Sequence, residues 1–383
     1  MGARRHSTVR PAKETVTVGY HAPPAGSHSG VADYAETLRI ALSAMGLVER
    51  GAANADIHLY HLGNNRLHEK IYARALATPG IVVLHDAVLH HFLLGTLSKE
   101  QYIAEWVYNY GEWRRHLAQE LWGERSRASV DPRYFQYPML RRILERSLRI
   151  IVHNPGAAAI ARAQGGKNVE VIPHFCQIDE DSFIVEAAQL RDRLGIGQGS
   201  ALFGVFGYLR EPKRIIQCIR AFTRLHAVHP KSALLIAGEA GSGDLARLLE
   251  AEARHPAIKR LGHLSDRDLR IAGAAVDCCL NLRYPGAGET SGIAIRLMGQ
   301  AKPVIVTDCA ENADFPLCAA LRVTPGIAEA EELLEHMLLV TEYPGIACEI
   351  GRAARLHIRT HHGLDTVAKR YWEILCATVS SLL

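Results

Sequence analysis

The chain has 383 residues, enough for about two to three domains of typical size, with 48% hydrophobic residues, 22% charged residues and a net charge of +4. This composition excludes a disordered chain, a collagen and a coiled coil, and the net charge is too small for nucleic-acid binding by bulk charge. No apolar run approaches the ~18 residues that a membrane span requires. We therefore expect a globular protein with well-buried cores and no nucleic-acid partner.

The location is inferred from the N-terminus and the cysteines. The first ten residues are basic, but no apolar segment follows them, whereas a secretory signal would continue into one. Eight scattered cysteines form no CxxC pair, and Cys278 and Cys279 lie in an apolar run that is typical of core packing. A reduced, cytoplasmic protein is the simplest interpretation.

Short apolar runs alternate with helical stretches along the first half of the chain. The predicted strands are Val16–Tyr20, Ile57–His61, Ile81–Leu84, Arg149–His153 and Val169–Ile172. Helices are predicted over Val31–Met45 and Leu67–Leu76. This alternation is typical of a parallel sheet covered by helices on both faces.

The pattern restarts after a more acidic segment over 174–195, which suits an interdomain crossing. Five further strands are predicted, at Leu202–Phe206, Leu234–Ala237, Ile258–Leu261, Val276–Asn281 and Val304–Thr307. Two similar α/β halves are therefore expected. We place their boundaries at residues 1–180 and 181–363. A C-terminal helix is predicted over 364–383; it could belong to either half, and one alternative is that it packs back on the first domain.

Residues 100–148 combine three tryptophans with many arginines. Such a segment either lies on an anionic membrane or packs its aromatics inward and solvates its arginines outward. Because Glu112, Glu120, Glu124 and Glu145 dilute the positive charge, we favour the second interpretation.

The loops after the strands are where an open α/β sheet binds its ligands. After the first strand, a loop rich in Pro, Gly and Ser runs to Gly30 and into a helix. It has neither the GxGxxG spacing of a dinucleotide site nor a Walker sequence, so alone it is a weak signal. After the third strand, His85 could polarise a substrate or be a core histidine, and Asp86 could be a helix N-cap.

The second half offers a stronger set of residues. Arg210, Lys213 and Arg214 follow a strand and open a helix, where the helix dipole already favours anions. A later loop, from Arg283 to Gly292, brings glycines, hydroxyls and Glu289 to the start of another helix. Two such loops suggest a ligand with both a phosphate and hydroxyls, as in a sugar nucleotide.

With these stretches in order, the sequence resembles the family-4 retaining glycosyltransferases of the GT-B fold over roughly residues 15–340. The resemblance rests on Pro23–Tyr34, Leu62–His68, Pro79–Asp86, Ile151–Asn154, Phe206–Arg214, Leu261–Ser265, Asn281–Gly292 and Lys302–Ile305. It implies an α/β fold of two Rossmann-like α/β/α domains that face each other across a cleft. It also implies transfer of a sugar from a nucleotide donor with retention of configuration.

The resemblance implies roles for individual residues. Lys213 matches the lysine that binds the donor diphosphate, and Glu289 matches the glutamate that holds hydroxyls of the donor sugar. The arginine that usually follows the glycine is replaced by Tyr208, so Arg210 or Arg214 would have to supply that charge.

The remaining matches concern the phosphates and the sugar. Thr290, Ser291 and Gly292 match the turn whose backbone N–H groups meet the diphosphate. Gly30 matches the glycine loop that faces the same phosphates, and His85 matches the histidine near the transferred sugar.

The sequence departs from the family at a second glutamate, which usually holds the nucleotide ribose. Eight residues after Glu289 stands Leu297, with Arg296 beside it. Either ribose recognition differs, or donor binding is weakened, or the protein is a degenerate member that acts as a binding or partner subunit. A nicotinamide-dependent dehydrogenase or epimerase is disfavoured by the missing GxGxxG.

The expected ligands follow from the same resemblance. No DxD-like pair is evident, so no metal or other cofactor is expected, and fixed cations would take the place of a divalent ion. The donor would be a UDP- or GDP-linked sugar, and the acceptor a glycan, a lipid-linked molecule or a small molecule. A peripheral contact with the inner face of the membrane is left open.

Overall fold

The computed structural model describes residues 16–27, 29–178 and 183–382. The boundary that we placed between residues 180 and 181 lies outside these ranges. Within them the chain forms two parallel sheets of six strands, each with a hydrophobic cluster on both faces. The prediction of an α/β fold with two similar halves is confirmed.

The first sheet has the strand order β2-β1-β3-β4-β5-β6, and every pairing is parallel. Its strands are β1 (Thr17–His21), β2 (Leu47–Arg50), β3 (Ile57–Leu62), β4 (Ile81–Leu84), β5 (Arg149–Val152) and β6 (Val169–Val171). Its helices are α1 (Gly30–Ser43), α2 (Glu69–Ala77), α3 (His90–Thr96), α4 (Lys99–Tyr110), α5 (Arg115–Gly123), α6 (Arg133–Gln136), α7 (Arg141–Arg146) and α8 (Pro155–Ala163). We call this half the first lobe.

The second sheet has the order β12-β11-β10-β7-β8-β9, again all parallel. Its strands are β7 (Ala201–Phe206), β8 (Ser232–Ala237), β9 (Ile258–Leu261), β10 (Cys278–Asn281), β11 (Val304–Thr307) and β12 (Leu321–Val323). The remaining helices are α9 (Ile184–Arg193), α10 (Ile215–Val228), α11 (Gly243–Glu252), α12 (Asp266–Ala275), α13 (Gly292–Gly299), α14 (Glu329–Glu342), α15 (Pro344–His361) and α16 (Leu364–Leu382). We call this half, without α16, the second lobe.

The C-terminal helix α16 returns to the first lobe. Its buried side chains join the cluster that covers β1 and β3, and the hydroxyls of Tyr371 and Tyr34 lie 3.1 Å apart. At this return the chain runs beside the segment that leaves the first lobe: the N–H of Cys176 donates to the carbonyl of His362 at 2.8 Å, and Nδ1 of His362 donates to the carbonyl of His174 at 2.5 Å. The two lobes are thus connected by two crossings that pair with each other.

Two edge strands were absent from the sequence prediction. In β2 only Val48 is buried, so its four residues carry no apolar run. In β12 only Val323 of three residues is buried. These edge strands bury few side chains, so they carry little apolar signal in the sequence.

The segment 100–148 forms helices whose aromatics point mostly inward. Trp106, Tyr102 and Tyr134 are fully buried. Arg133 pairs with Asp131 at 2.7 Å and also with Glu120 and Glu124, so its charge is balanced. This packing favours inward aromatics over a membrane surface for most of the segment, and Trp113 is the exception with 71% of its surface exposed. No helix in the described part of the chain combines the length and hydrophobicity that crossing a bilayer would take.

Candidate active site

The carboxyl ends of the two sheets meet where a loop of the first lobe touches a loop of the second. The N–H of Ala87, just after β4, donates to the carbonyl of Ala287 at 2.8 Å. Gly288 has a φ of +79°, and a Cβ there would lie 2.5 Å from the Cβ of Ala87. Only glycine fits this position, both for its backbone conformation and for the closeness of the neighbouring loop.

Glu289 lies at this meeting point and is held from two sides. One carboxylate oxygen accepts a hydrogen bond from Arg283 at 2.6 Å, and the other accepts from the N–H of Ala287 at 2.7 Å. Burial alone would raise the pKa of Glu289, but the charges of Arg283 and Arg210 and the backbone N–H groups outweigh it and lower this pKa below its usual value. The side chain is therefore held in place and kept ionised.

Asp86 brings a second carboxylate from the first lobe. It accepts a hydrogen bond from the N–H of Asn64 at 2.8 Å, so it does not cap a helix, and the N-cap of α3 is Leu89. Burial and the negative charge of Glu289 raise the pKa of Asp86, while Arg210 opposes the rise. The two carboxylates thus differ in their readiness to hold a proton, a pattern found where acid and base chemistry share one site.

Lys213 is buried next to the end of β7 and the glycine that follows it. Its Nζ donates to the carbonyl of Phe206 at 2.8 Å, and a Cβ on Gly207 would lie 3.1 Å from it. Burial, together with the positive charges of Arg283 and Arg210, lowers the pKa of Lys213 well below its usual value. The charged form of Lys213 is therefore disfavoured, and a bound anion would counter both causes and stabilise that form.

The two arginines near Lys213 have different surroundings. Arg214 makes a two-point ion pair with the buried Glu329 of α14, at 2.6 and 2.9 Å, which joins α10 to α14. Arg210 is exposed and has no carboxylate within 4 Å among the described residues, yet it acts electrostatically on Asp86, Lys213 and Glu289. The structure therefore brings Arg210 to the site, whereas Arg214 is committed elsewhere.

The start of α13 completes the anion-binding side. Ser291 is the N-cap, and its hydroxyl accepts from the N–H of Ala294 at 3.2 Å. Thr290 precedes it and Gly292 begins the helix, so the first N–H groups of α13 open beside Glu289. Gly30 also begins a helix, α1, but a Cβ there would meet no atom of the described residues within 4 Å.

His85 is buried at the end of β4 within a chain of three histidines. Its Nε2 lies 3.0 Å from Nδ1 of His61, its Nδ1 lies 3.2 Å from Nε2 of His153, and Nδ1 of His153 lies 3.0 Å from the carbonyl of Ile172. Burial, with His153 and His61, lowers the pKa of His85 well below its usual value, so the ring is neutral.

The carbonyl at the end of this chain fixes the proton positions. Because a carbonyl only accepts, His153 must donate through Nδ1, His85 must donate to His153, and His61 must donate to His85. Both ring nitrogens of His85 are then engaged, and Nε2 of His61 is left as a buried acceptor without a partner in the described chain. A hydrogen bond from the His85 ring to a substrate would require this chain to break.

A cavity of about 200 Å³ opens next to Glu289 at the carboxyl ends of β10, β11 and β12. It is lined by Asn281, Arg283, Tyr284, Gly286, Glu289, Ser291, Cys309, Glu311, Asn312 and Pro325. Its polar groups, which include two carboxylates and two amides, are set in a lining whose accessible surface is mainly apolar, as is usual for ligand pockets. Within the described ranges no group of three His, Cys, Asp or Glu side chains could hold a metal ion.

The position expected for the second glutamate carries no acid. Leu297 is 1% exposed inside the core, and Arg296 pairs with Asp266 of α12 at 2.8 Å. Two other polar residues near the contact between the lobes, Arg283 and Asn154, had no role in the sequence analysis, and Asp86 was considered there only as a helix N-cap. All three follow the end of a parallel strand, and this position is the signal that could have identified them.

Comparisons with known proteins give fold similarity only. No family model and no curated protein sequence matches the chain. Among solved structures, sucrose-phosphate synthase from Thermosynechococcus elongatus has a TM-score of 0.67 at 15% identity, covering 96% of this chain and 100% of that one. HepE of Anabaena, in complex with UDP-glucose, has a TM-score of 0.62 at 15% identity, with coverages of 94% and 100%.

A third similar structure is WaaG, a glycosyltransferase involved in lipopolysaccharide biosynthesis, with a TM-score of 0.62 at 14% identity, covering 94% of this chain and 99% of that one. The similarity extends over both lobes, since almost the whole of each chain is covered. Together with the two parallel six-stranded sheets that meet at their carboxyl ends, these matches show that the chain has the GT-B fold of glycosyltransferases.

Proposed function

We propose that the protein transfers a sugar from a nucleotide-sugar donor, UDP- or GDP-linked, to an acceptor hydroxyl with retention of anomeric configuration. The observation that carries the proposal is the meeting of two opposite charge environments where the lobes touch. The Arg210–Lys213 side and the start of α13 favour an anion, while the ionised Glu289 beside them favours hydroxyl groups. A sugar diphosphate presents both.

The proposed reaction follows from this division. The bond between the anomeric carbon and the diphosphate oxygen breaks, and its electron pair stays on the diphosphate as negative charge. Lys213, Arg210 and the N–H groups of α13 would stabilise that charge, and such fixed donors provide a large part of catalysis. The acceptor oxygen forms the new bond to the anomeric carbon, and its proton passes to the departing diphosphate or to Asp86.

The remaining assignments are part of the same proposal. Thr290, Ser291 and Gly292 would receive the diphosphate at the start of α13, and Glu289 would hold hydroxyls of the donor sugar. Gly30 would face the phosphates from the first lobe. His85 would line the sugar side through its buried ring, held by His61 and His153. We propose no metal or other cofactor.

The experiment is a titration of the purified protein with UDP, GDP and ADP and with their common sugar conjugates, followed by mass spectrometry of the mixtures. We expect one nucleoside diphosphate to bind and its sugar conjugate to be slowly hydrolysed even without an acceptor. An absence of both binding and hydrolysis across the panel would contradict the proposal. Mass spectrometry of ligands retained through purification would identify the donor directly.

A second candidate is a catalytically degenerate binding or partner subunit. The specific observation in its favour is Leu297, which is buried in the core where the second glutamate is expected. Nucleotide binding without hydrolysis or transfer, together with co-purification with an active related chain, would favour this candidate over the first.

The proposed setting is the cytoplasm, in agreement with eight cysteines that are all unpaired. The acceptor is proposed to be a glycan, a lipid-linked molecule or a small molecule that binds to the first lobe. A peripheral contact with the inner face of the membrane would depend on the exposed Trp113 and the Arg114 guanidinium that lies 4.3 Å above its ring.

A further inference from the structure

The contact between the lobes contains one buried side chain that reaches directly from the first lobe into the loop of Glu289. Asn154 is 2% exposed and lies between β5 and α8. Its Nδ2 donates to the carbonyl of Gly288 at 3.0 Å and to the hydroxyl of Thr290 at 2.9 Å. These two residues stand on either side of Glu289 in the chain.

The orientation of the Asn154 amide is determined by its neighbours. Its Oδ1 accepts from the N–H of Ala157 at 2.7 Å, as the N-cap of α8. Since that N–H can only donate, the oxygen must face it, and the NH₂ group must face the second lobe. Both of its hydrogens then meet acceptors, so the side chain has a single arrangement that satisfies it.

This arrangement also orients the hydroxyl of Thr290. Its oxygen receives a hydrogen from Asn154, and the described residues offer its own O–H no acceptor. The hydroxyl proton of Thr290 is therefore available to a ligand beside the start of α13. A hydroxyl held in this way is ready to donate to an anionic oxygen.

Asn154 acts together with other close contacts between the lobes. The N–H of Ala87 holds the carbonyl of Ala287, so the loop is bound by the first lobe before and after Glu289. A Cβ on Gly156, in the first turn of α8, would lie 2.8 Å from the backbone of Ala310 in the second lobe. The start of α8 is thus a contact between the two lobes, in which Gly156 packs closely and Asn154 provides the hydrogen bonds.

We propose that Asn154 is a positioning residue that couples closure of the lobes to the orientation of Thr290 and Glu289 towards the donor. The effect of Asn154 on sugar transfer rests on the proposed function. The contact by which Asn154 joins the lobes does not depend on any reaction. When the lobes separate, the loop loses its donor from Asn154, and Thr290 loses the contact that aims its proton.

Two variants separate the bridge from the helix cap. Asn154→Asp has the same shape and keeps an oxygen for Ala157, but its second oxygen faces the carbonyl of Gly288 with no hydrogen between them. Asn154→Ser keeps a good N-cap and is too short to reach the other lobe. We expect both variants to melt within a few degrees of wild type. We expect kcat to fall about tenfold in the serine variant and further in the aspartate variant.

A double-mutant cycle tests the coupling to Thr290. If Asn154 acts through this hydroxyl, Asn154→Ser should cost much less in a Thr290→Val background than in wild type, and Thr290→Ser should retain most of the activity. Additive losses would overturn the proposed coupling, as would unchanged kcat in both Asn154 variants.

Small-angle scattering of the unliganded protein provides a readout that needs no substrate. We expect the Asn154→Asp variant to scatter as a more open, two-lobed particle than wild type in the same buffer. Identical scattering curves would overturn the bridge between the lobes. If wild type binds no sugar nucleotide at all, the proposed function fails, whereas the scattering comparison still decides whether Asn154 joins the lobes.

Discussion

Replacing Lys213 by methionine removes the buried ammonium while keeping a side chain of similar length. The lost group is a fixed cation at the site where negative charge would develop on the leaving diphosphate. Removing one such donor costs on the order of 3 kcal/mol of transition-state stabilisation, which is about a hundredfold in rate. The affinity for UDP or GDP, whichever binds, should fall as well, because the same cation would meet the diphosphate in the ground state.

The stability of the variant should respond differently from its activity. The methionine leaves the carbonyl of Phe206 without its hydrogen bond, at a cost of about 1 kcal/mol, but it also removes a charge whose burial lowers the pKa of Lys213. The folded state holds that proton more weakly than the unfolded state, so in wild type the group destabilises the fold at neutral pH. The two effects oppose each other, and we expect a free energy of unfolding within about 1 kcal/mol of wild type.

The direction of this pKa shift also predicts a pH dependence. The proposed diphosphate binding would need the Lys213 ammonium in its charged form. Burial makes this group lose its proton at a lower pH than an exposed lysine would. In wild type the affinity should therefore decrease as the pH rises through the lowered pKa. In Lys213→Met that decrease should be absent.

The assays are calorimetric titration with the nucleoside diphosphate from pH 6 to pH 9, initial rates of donor hydrolysis, and thermal unfolding. A matched control is Arg224→Met on the exposed face of α10, where the ion pair with Glu331 is at the surface and contributes little. Lys213→Met with a rate within threefold of wild type would refute the reasoning. A loss of activity that parallels a loss of folded protein would refute it too.

The remaining predictions concern the two carboxylates and the helical segment of the first lobe. Glu289→Gln should reduce sugar transfer at least a hundredfold in initial-rate assays while changing calorimetric UDP or GDP affinity only a few-fold, because its carboxylate would face hydroxyls of the sugar rather than the phosphates. A parallel loss of transfer and of affinity would contradict this division. Burial and Glu289 raise the pKa of Asp86, so through this group wild type loses stability as the pH rises from about 4 through that raised value. Asp86→Asn should therefore melt higher than wild type at pH 8 but not at pH 3. Equal melting temperatures of the variant and wild type at both pH values would argue against the shift. Trp106 is buried and Trp113 is exposed. Trp106→Ala should therefore lower the free energy of unfolding by about 3–5 kcal/mol in urea titrations, whereas Trp113→Ala should change it by less than about 0.5 kcal/mol. Similar values for the two variants would mean that residues 100–148 pack differently.

The central strands could be predicted from the sequence because a buried parallel strand needs a continuous apolar run. The runs at Ile81–Leu84 and Val304–Thr307 are strands with these same bounds. The edge strands β2 and β12 could not be found in this way, since few of their residues are buried. Burial on both faces gives the strong signal, and an edge position removes it.

The site could be predicted only in part. The placement of Lys213 and Glu289 near one cleft follows from their positions after parallel strands, since these ends share one edge of a sheet. The separation of Arg210 from Arg214 could not be predicted, because it depends on Glu329, which lies 115 residues further along and reaches Arg214 only through the packing of α10 on α14. For Asp86 a helix N-cap was one alternative, because its nearest neighbours in sequence allow one.

Contacts between the lobes were the least predictable part of the site. Asn154 and Gly288 look like ordinary turn residues in the sequence. Their importance arises from the loop that each one meets in the other lobe, more than 130 residues away for Asn154 and about 200 for Gly288. No local pattern carries information about such a partner.

The return of α16 to the first lobe has a mechanical consequence. A single connecting segment would let one lobe swivel and twist freely relative to the other. Here two segments of the chain connect the lobes side by side, and hydrogen bonds of His362 with Cys176 and His174 join them. Two paired crossings resist twisting of one lobe against the other more than one crossing would, so we expect each opening of the protein to bring the same two loops back into contact.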